Sequence, residues 1–230
     1  MTKSTSFLSQ QIKWTIPLLL LIVSNPNIKA QELKKVTKFS CSGIEEQFYV
    51  LKKDKNIKNG PYRLSIQNSI YQLGFYSNNK KTGIWSIYNF DQTLEFKYNY
   101  DTQMIYKLDK SYLKSPDDST SRAPVFLGGL VYLVFRTACF TKSAEELYKN
   151  IGPGTYKVII KFDVDSLGLP GNYSVFNSCG QKTLDDEALR CVKLATALTF
   201  PFLPALEKGK PIKANMMLPI NFTYTETKFN

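Results

Sequence analysis

The sequence predicts an α+β protein in which an N-terminal antiparallel sheet of repeated β-hairpins precedes a small C-terminal domain with a three-stranded antiparallel sheet and packed helices. Three observations carry this expectation. Short apolar-alternating strands open at Phe48, Tyr71 and Leu94, a spacing of 23 residues that marks stacked supersecondary units. From Thr155 to Tyr224 the chain reads strand, turn, strand, helix, strand, as the apolar period switches from two to about 3.6 and back. Between these regions, Lys110 to Arg122 is polar and poor in apolar residues, as a linker would be.

Composition bounds what the chain can do. With 230 residues, 43% of them hydrophobic, it can bury one ordinary core or two small ones. Its formal charge of +11 is scattered along the chain, with no basic stripe and no nucleic-acid-binding module, so no nucleic acid is expected as a partner. Histidine is absent, which rules out Ser-His-Asp and Cys-His sites and removes the commonest zinc ligand. Cys41, Cys139, Cys179 and Cys191 form no C-x-x-C pair. The chain is therefore expected to have no catalytic residues, no metal and no cofactor.

Residues 1–30 read as a secretory signal peptide, with Lys3 and Lys13 ahead of an apolar run from Trp14 to Val23 and Ile28-Lys29-Ala30 before Gln31. The run is about half the length a membrane-spanning helix needs. Export to the periplasm is expected, where disulfides form; the alternative is an uncleaved leader that anchors the chain in the inner membrane.

Residues 31–109 form the expected repeat region. Phe48 and Val50, then Tyr71, Leu73 and Phe75, then Leu94, Phe96 and Tyr98 each alternate along a strand. Lys58-Asn59-Gly60-Pro61-Tyr62 aligns with Lys81-Thr82-Gly83-Ile84-Trp85, and the glycines are expected to supply the positive φ of a turn. With Gly74-Phe75-Tyr76 and the Gly-x-Trp-x-x-Tyr element ending at Tyr88, this region resembles the bacterial variant of the MORN repeat. That resemblance implies a β-hairpin scaffold for protein or lipid contacts, without a fixed activity. Tyr62, Trp85 and Tyr88 either pack the sheet or present an aromatic binding face.

Residues 110–123 are the expected linker and 124–230 the second domain. Leu130 to Phe140 is apolar and suits a buried helix or a strand equally; Ser143 to Asn150 suits a helix. Tyr156, Val158, Ile160 and Phe162 alternate along a strand, Asp165-Ser166-Leu167-Gly168 stops it, and Tyr173 to Phe176 resumes. A helix follows, with Leu184, Ala188, Cys191, Val192, Ala195 and Leu198 on one face, and with Thr183 as cap in a capping-box arrangement with Asp186. Cys179 and Cys191 are the favoured disulfide, Cys139–Cys191 a competitor, and two buried thiols the remaining alternative. Asp163 and Asp165, two apart on a strand, suggest an acid pair or a calcium site less well than they suggest turn formation.

Pro124-x-Phe126-x-Gly128-Gly129, Gly154 to Asp165 with Gly168, Asp185 to Leu189, Phe202-Leu203-Pro204-Ala205, Gly209 to Ile212 and Leu218 to Phe222 together resemble the C-terminal domain of TonB proteins. Phe140-Thr141 stands where that family usually has Tyr-Pro, and Phe202 where it has tryptophan. The resemblance implies recognition of an extended segment of an outer-membrane transport protein, or of another Gram-negative envelope protein, by strand addition. The expected contact residues are those of the last strand: Ile212, Ala214, Asn215, Met217, Ile220, Phe222 and Tyr224. An adaptor or interaction module is the favoured reading. A membrane-anchored energy transducer and a scaffold that recognises partners through the repeat sheet are the alternatives, with membrane contact and oligomeric state left open.

Overall fold

The computed structural model describes residues 31–115, 118–197 and 200–225. The expected leader, Pro116 and Asp117 of the expected linker, and Leu198 of the helical stripe lie outside the described residues.

Alternating apolar strands joined by short turns produce a seven-stranded meander whose spatial order is its chain order. Its strands are β1 (Leu33–Phe39), β2 (Ile44–Leu51), β3 (Lys58–Ile66), β4 (Ser69–Ser77), β5 (Lys80–Tyr88), β6 (Leu94–Asn99) and β7 (Met104–Leu108). One face buries Leu64, Trp85, Ile87 and Phe96, while Phe75 and Ile84 stand exposed. The two-residue turns Gln67-Asn68 and Asn78-Asn79 have positive φ at both positions, the twist that joins tight hairpins.

The repeat glycines therefore do a different job from the one expected. Gly60 and Gly83 lie inside β3 and β5 and carry bulges, not turns. Residues 59–61 of β3 oppose Tyr49 alone, and residues 83–85 of β5 oppose Gly74 alone. At the second bulge the Trp85 ring folds over Gly74, where a Cβ would fall 2.1 Å from a ring carbon. Only glycine allows that approach.

The expected linker is folded. β8 (Leu113–Ser115) and β9 (Asp118–Arg122) join β14 (Ala205–Glu207) and β15 (Lys210–Ile212) in a four-stranded sheet of order β15-β14-β9-β8. The polar residues that read as linker are the ones that hold these short strands: Asp118 accepts from the Thr120 amide (2.8 Å), and Ser121 Oγ accepts from the Lys208 amide (3.0 Å). β10 (Val125–Phe126) and β13 (Phe202–Leu203) form a two-stranded pair.

Beyond it lie α1 (Leu130–Ala138), α2 (Ala144–Tyr148) and α3 (Lys182–Ala197), with β11 (Gly154–Val164), β12 (Pro170–Asn177) and β16 (Ala214–Tyr224) in an antiparallel sheet of order β12-β11-β16. The apolar stripe of α3 is buried as its spacing predicts, from Leu184 to Ala195. Its start differs. The helix begins at Lys182, which places Thr183 within the first turn, and Asp185 rather than Asp186 reaches back, accepting from the Cys179 amide (3.1 Å) and the Ser178 hydroxyl. Asp186 pairs instead with Lys182 along the exposed face.

The disulfide joins Cys41 to Cys139, with Cα atoms 5.3 Å apart, and leaves Cys179 and Cys191 free. The expected Cys179–Cys191 bridge fails on geometry. Cys179 precedes α3, while Cys191 sits roughly 13 Å along its axis, beyond the Cα separation a disulfide spans. Cys139 follows α1, so the observed bridge ties that helix to the turn between β1 and β2.

One core runs through both sheets. Leu64, Tyr62 and Trp85 of the meander cluster with Phe126, Tyr132 and Phe202, and with Val158, Ile160 and Leu184 beyond them. Polar contacts cross the same boundary: Gln72 Nε2 donates to Gly128 O (2.7 Å), and the fully buried Glu95 accepts from the Leu130 amide at the start of α1 and from the Tyr112 hydroxyl. Lys81 Nζ sits 3.9 Å from the Trp85 ring centre and 3.8 Å from that of Phe200. From Glu32 onward the chain is a single compact body.

Candidate partner-binding edge

β16 pairs with β11 in unbroken register over its whole length, from Ala214 opposite Val164 to Tyr224 opposite Gly154. Its other side has no strand among the described residues. Pro219, opposite Ile159, fits this position, because a central strand uses every one of its N–H groups and an edge strand only the alternate ones. Strand residues alternate in the direction of their backbone groups. With the proline nitrogen turned to the open side, the amides of Met217, Asn221 and Thr223 share that direction and meet no strand among the described residues.

Side chains alternate too. Leu218 and Phe222 are buried, Ala214, Ile220 and Tyr224 half-buried, and Asn215, Met217, Pro219, Asn221 and Thr223 exposed. The seven expected contact residues are thus divided. Ala214, Ile220, Phe222 and Tyr224 face the helices, Asn215 and Met217 face away from them, and Ile212 belongs to β15, paired with Ala205 in the other sheet.

Alongside the open edge runs a cleft of about 370 Å³, lined by residues 219–223 of β16, Val134, Thr137 and Ala138 of α1, Thr141, Tyr148 and Cys191. The helix residues were not expected at the site. Val134 and Ala138 lie four apart, on one helix face, a signal that existed in the sequence but required the apolar run 130–140 to be known as a helix. Tyr148 closes one end by stacking on Tyr224, with ring centres 4.6 Å apart.

The floor of the cleft is chemically quiet. Burial, reinforced by the neighbouring Glu187 carboxylate, pushes the Cys191 thiol up to about 11, so it stays protonated and unreactive at neutral pH. Burial also pushes Glu187 up, but the hydrogen bonds from Arg190 (2.7 and 2.8 Å) and the Lys142 amide (2.8 Å) outweigh it and hold the carboxyl below its usual range. The suggested acid pair is occupied structurally. Asp163 pairs with Lys213 at 2.6 Å, and Asp165 accepts from the Leu167 and Leu169 amides, both at 2.8 Å, to shape the β11–β12 turn. Among the described residues, no group of three acidic, cysteine or histidine side chains is arranged to hold a metal ion.

Residues 156–224 match the family model described as Gram-negative bacterial TonB protein C-terminal. No curated protein and no solved structure gives a significant match. The match spans β11 to β16 and so takes in the whole open edge together with α3. It supports a TonB-like envelope protein with a protein partner in the general sense. Among the described residues, no helix is long and apolar enough to cross a membrane.

Proposed function

We propose that this chain is an exported adaptor of the Gram-negative envelope that takes up an extended segment of an outer-membrane transport protein by strand addition to β16. The observation that carries this reading is the open β16 edge with a cleft beside it. An incoming strand completes the ladder with its backbone, and every second side chain enters the cleft. The Cys41–Cys139 disulfide suits an oxidising compartment such as the periplasm. The seven-stranded sheet, on this reading a MORN-like scaffold, holds the TonB-like part rather than recognising the partner, because its aromatic face is already covered.

The test uses proline on the open side. N221P and T223P remove outward donors while sparing the alternate amides that pair with β11. Dye-labelled synthetic peptides from the N-terminal segments of outer-membrane transport proteins are titrated onto the purified chain. Affinity is expected to fall about ten-fold or more in either variant, with the thermal midpoint little changed. Unchanged affinity in both would overturn the reading.

A further inference from the structure

The meander ends in a second open edge. β7 is paired with β6 on one side, and its other side has no strand among the described residues. Beside it lies a groove of about 460 Å³, walled by Ile105 and Leu108 from β7 and by Leu113, Leu203 and Leu206 from the smaller sheets. Tyr106, on the same strand, is 60% exposed.

Arg122 lines this groove, and its state is unusual. The residue is 9% exposed and its side chain donates through one terminal nitrogen to two neutral acceptors, Ala123 O (3.1 Å) and Pro204 O (2.9 Å). None of the ion pairs among the described residues includes it. The nearby Glu207 is already engaged by Lys114 at 2.7 Å. Burial lowers the pKa of the guanidinium. A desolvated cation without an anion is costly, and a guanidinium is well suited to grip a carboxylate through two donors.

We infer that the β7 edge and its groove bind an extended segment of another protein in which apolar residues alternate and an acidic side chain is placed to reach Arg122. The backbone of the segment extends the meander by one strand, its apolar side chains fill the groove, and its carboxylate supplies the missing counter-charge. A second copy of this chain fits this edge less well. β7 reads Met-Ile-Tyr-Lys-Leu and the Asp109 that follows it is engaged by the Ser111 amide, so pairing two copies offers Arg122 no free acid and sets Lys107 of each copy near the other's edge. This site uses no residue of β16 and stands whether or not that edge binds transport proteins.

The probe is an end-capped ten-residue peptide that alternates valine and threonine around a central glutamate, with a twin in which glutamine replaces the glutamate. On the purified full chain the glutamate peptide is expected to bind at least ten-fold more tightly, and to slow hydrogen exchange at residues 104–108. R122M should abolish that preference, and R122K should retain part of it. Because Arg122 also holds two backbone carbonyls, the peptide pair on the unaltered chain remains decisive where R122M does not fold. Equal affinity for the two peptides, protection at residues 214–224 in place of 104–108, or dimerisation of the chain through β7 would each overturn the inference.

Discussion

The aromatic face of the meander and the open edge of β16 use the same alternating pattern to opposite ends. On the meander, Tyr62 and Trp85 are 4% and 0% exposed, packed edge-to-face with Tyr76 and Tyr100 and covered by the C-terminal half of the chain. On β16, Leu218 and Phe222 are also buried, yet the strand keeps an unpaired flank beside a cleft. Aromatic content marks the surface that holds this molecule together. The unpaired backbone marks where a partner can add.

The sharpest way to break that comparison is to loosen the docking of the two regions. Replacing Cys41 and Cys139 by serine opens a loop with a sequence separation of 98, for which chain entropy gives a loss of about 4–5 kcal/mol. Urea unfolding should still show one transition, shifted to lower denaturant, because the shared core remains. Two separate transitions would mean that the halves are independent domains. Next in size is W85A. It empties a fully buried site between Tyr62, Tyr76 and Tyr100 and should cost about 3–5 kcal/mol, read from the same unfolding curves. A loss below about 1 kcal/mol would show that the aromatic face is not the platform described.

The local rules of this fold were legible, and its long-range pairings were not. Period and spacing gave the repeated hairpins, the strands β11 and β12, and the buried stripe of α3, because each depends on neighbours within a few residues. The 110–123 stretch reads as a linker because serine, threonine and aspartate look the same whether solvent or a short edge strand satisfies them. The disulfide is not legible in the sequence because Cys41 and Cys139 meet only through the docking of α1 on the meander, which leaves no local trace. At the candidate site the strand could be seen and the cleft could not. Its far wall comes from α1, whose sequence is as apolar as a strand's. The match of residues 156–224 to the TonB C-terminal model agrees with the part of the chain whose motifs were read in order.

The smallest expected effect concerns the polar seam between the regions. Burial pushes the Glu95 carboxyl from 4.5 up to about 7, against the opposing hydrogen bonds from Tyr112 and Leu130, and lowers the Lys81 ammonium from 10.5 to about 7, against the attraction of Glu46. Between pH 4.5 and 7 the folded chain holds more protons on Glu95 than the unfolded chain does, so this contribution to stability falls as pH rises. Between pH 7 and 10.5 the folded chain holds fewer on Lys81, so this contribution rises with pH, opposed above about pH 9 by the raised Cys191 thiol and the raised Tyr76 hydroxyl, which stay protonated longer in the folded chain. The two flanks meet in a minimum near neutrality, each worth a few kcal/mol at most, since one pKa unit corresponds to about 1.4 kcal/mol. Carboxyls held low, such as Asp163 and Glu187, lose their contribution only as pH falls below about 4 to 4.5 and so act outside this window. Denaturation midpoints measured across this range should trace the minimum. E95Q should flatten its acid flank alone, and K81M its alkaline flank alone. A profile with its maximum at pH 7, or one that E95Q and K81M leave unchanged, would mean that the seam is solvated and that the two regions are held by the aromatic face and the disulfide without it.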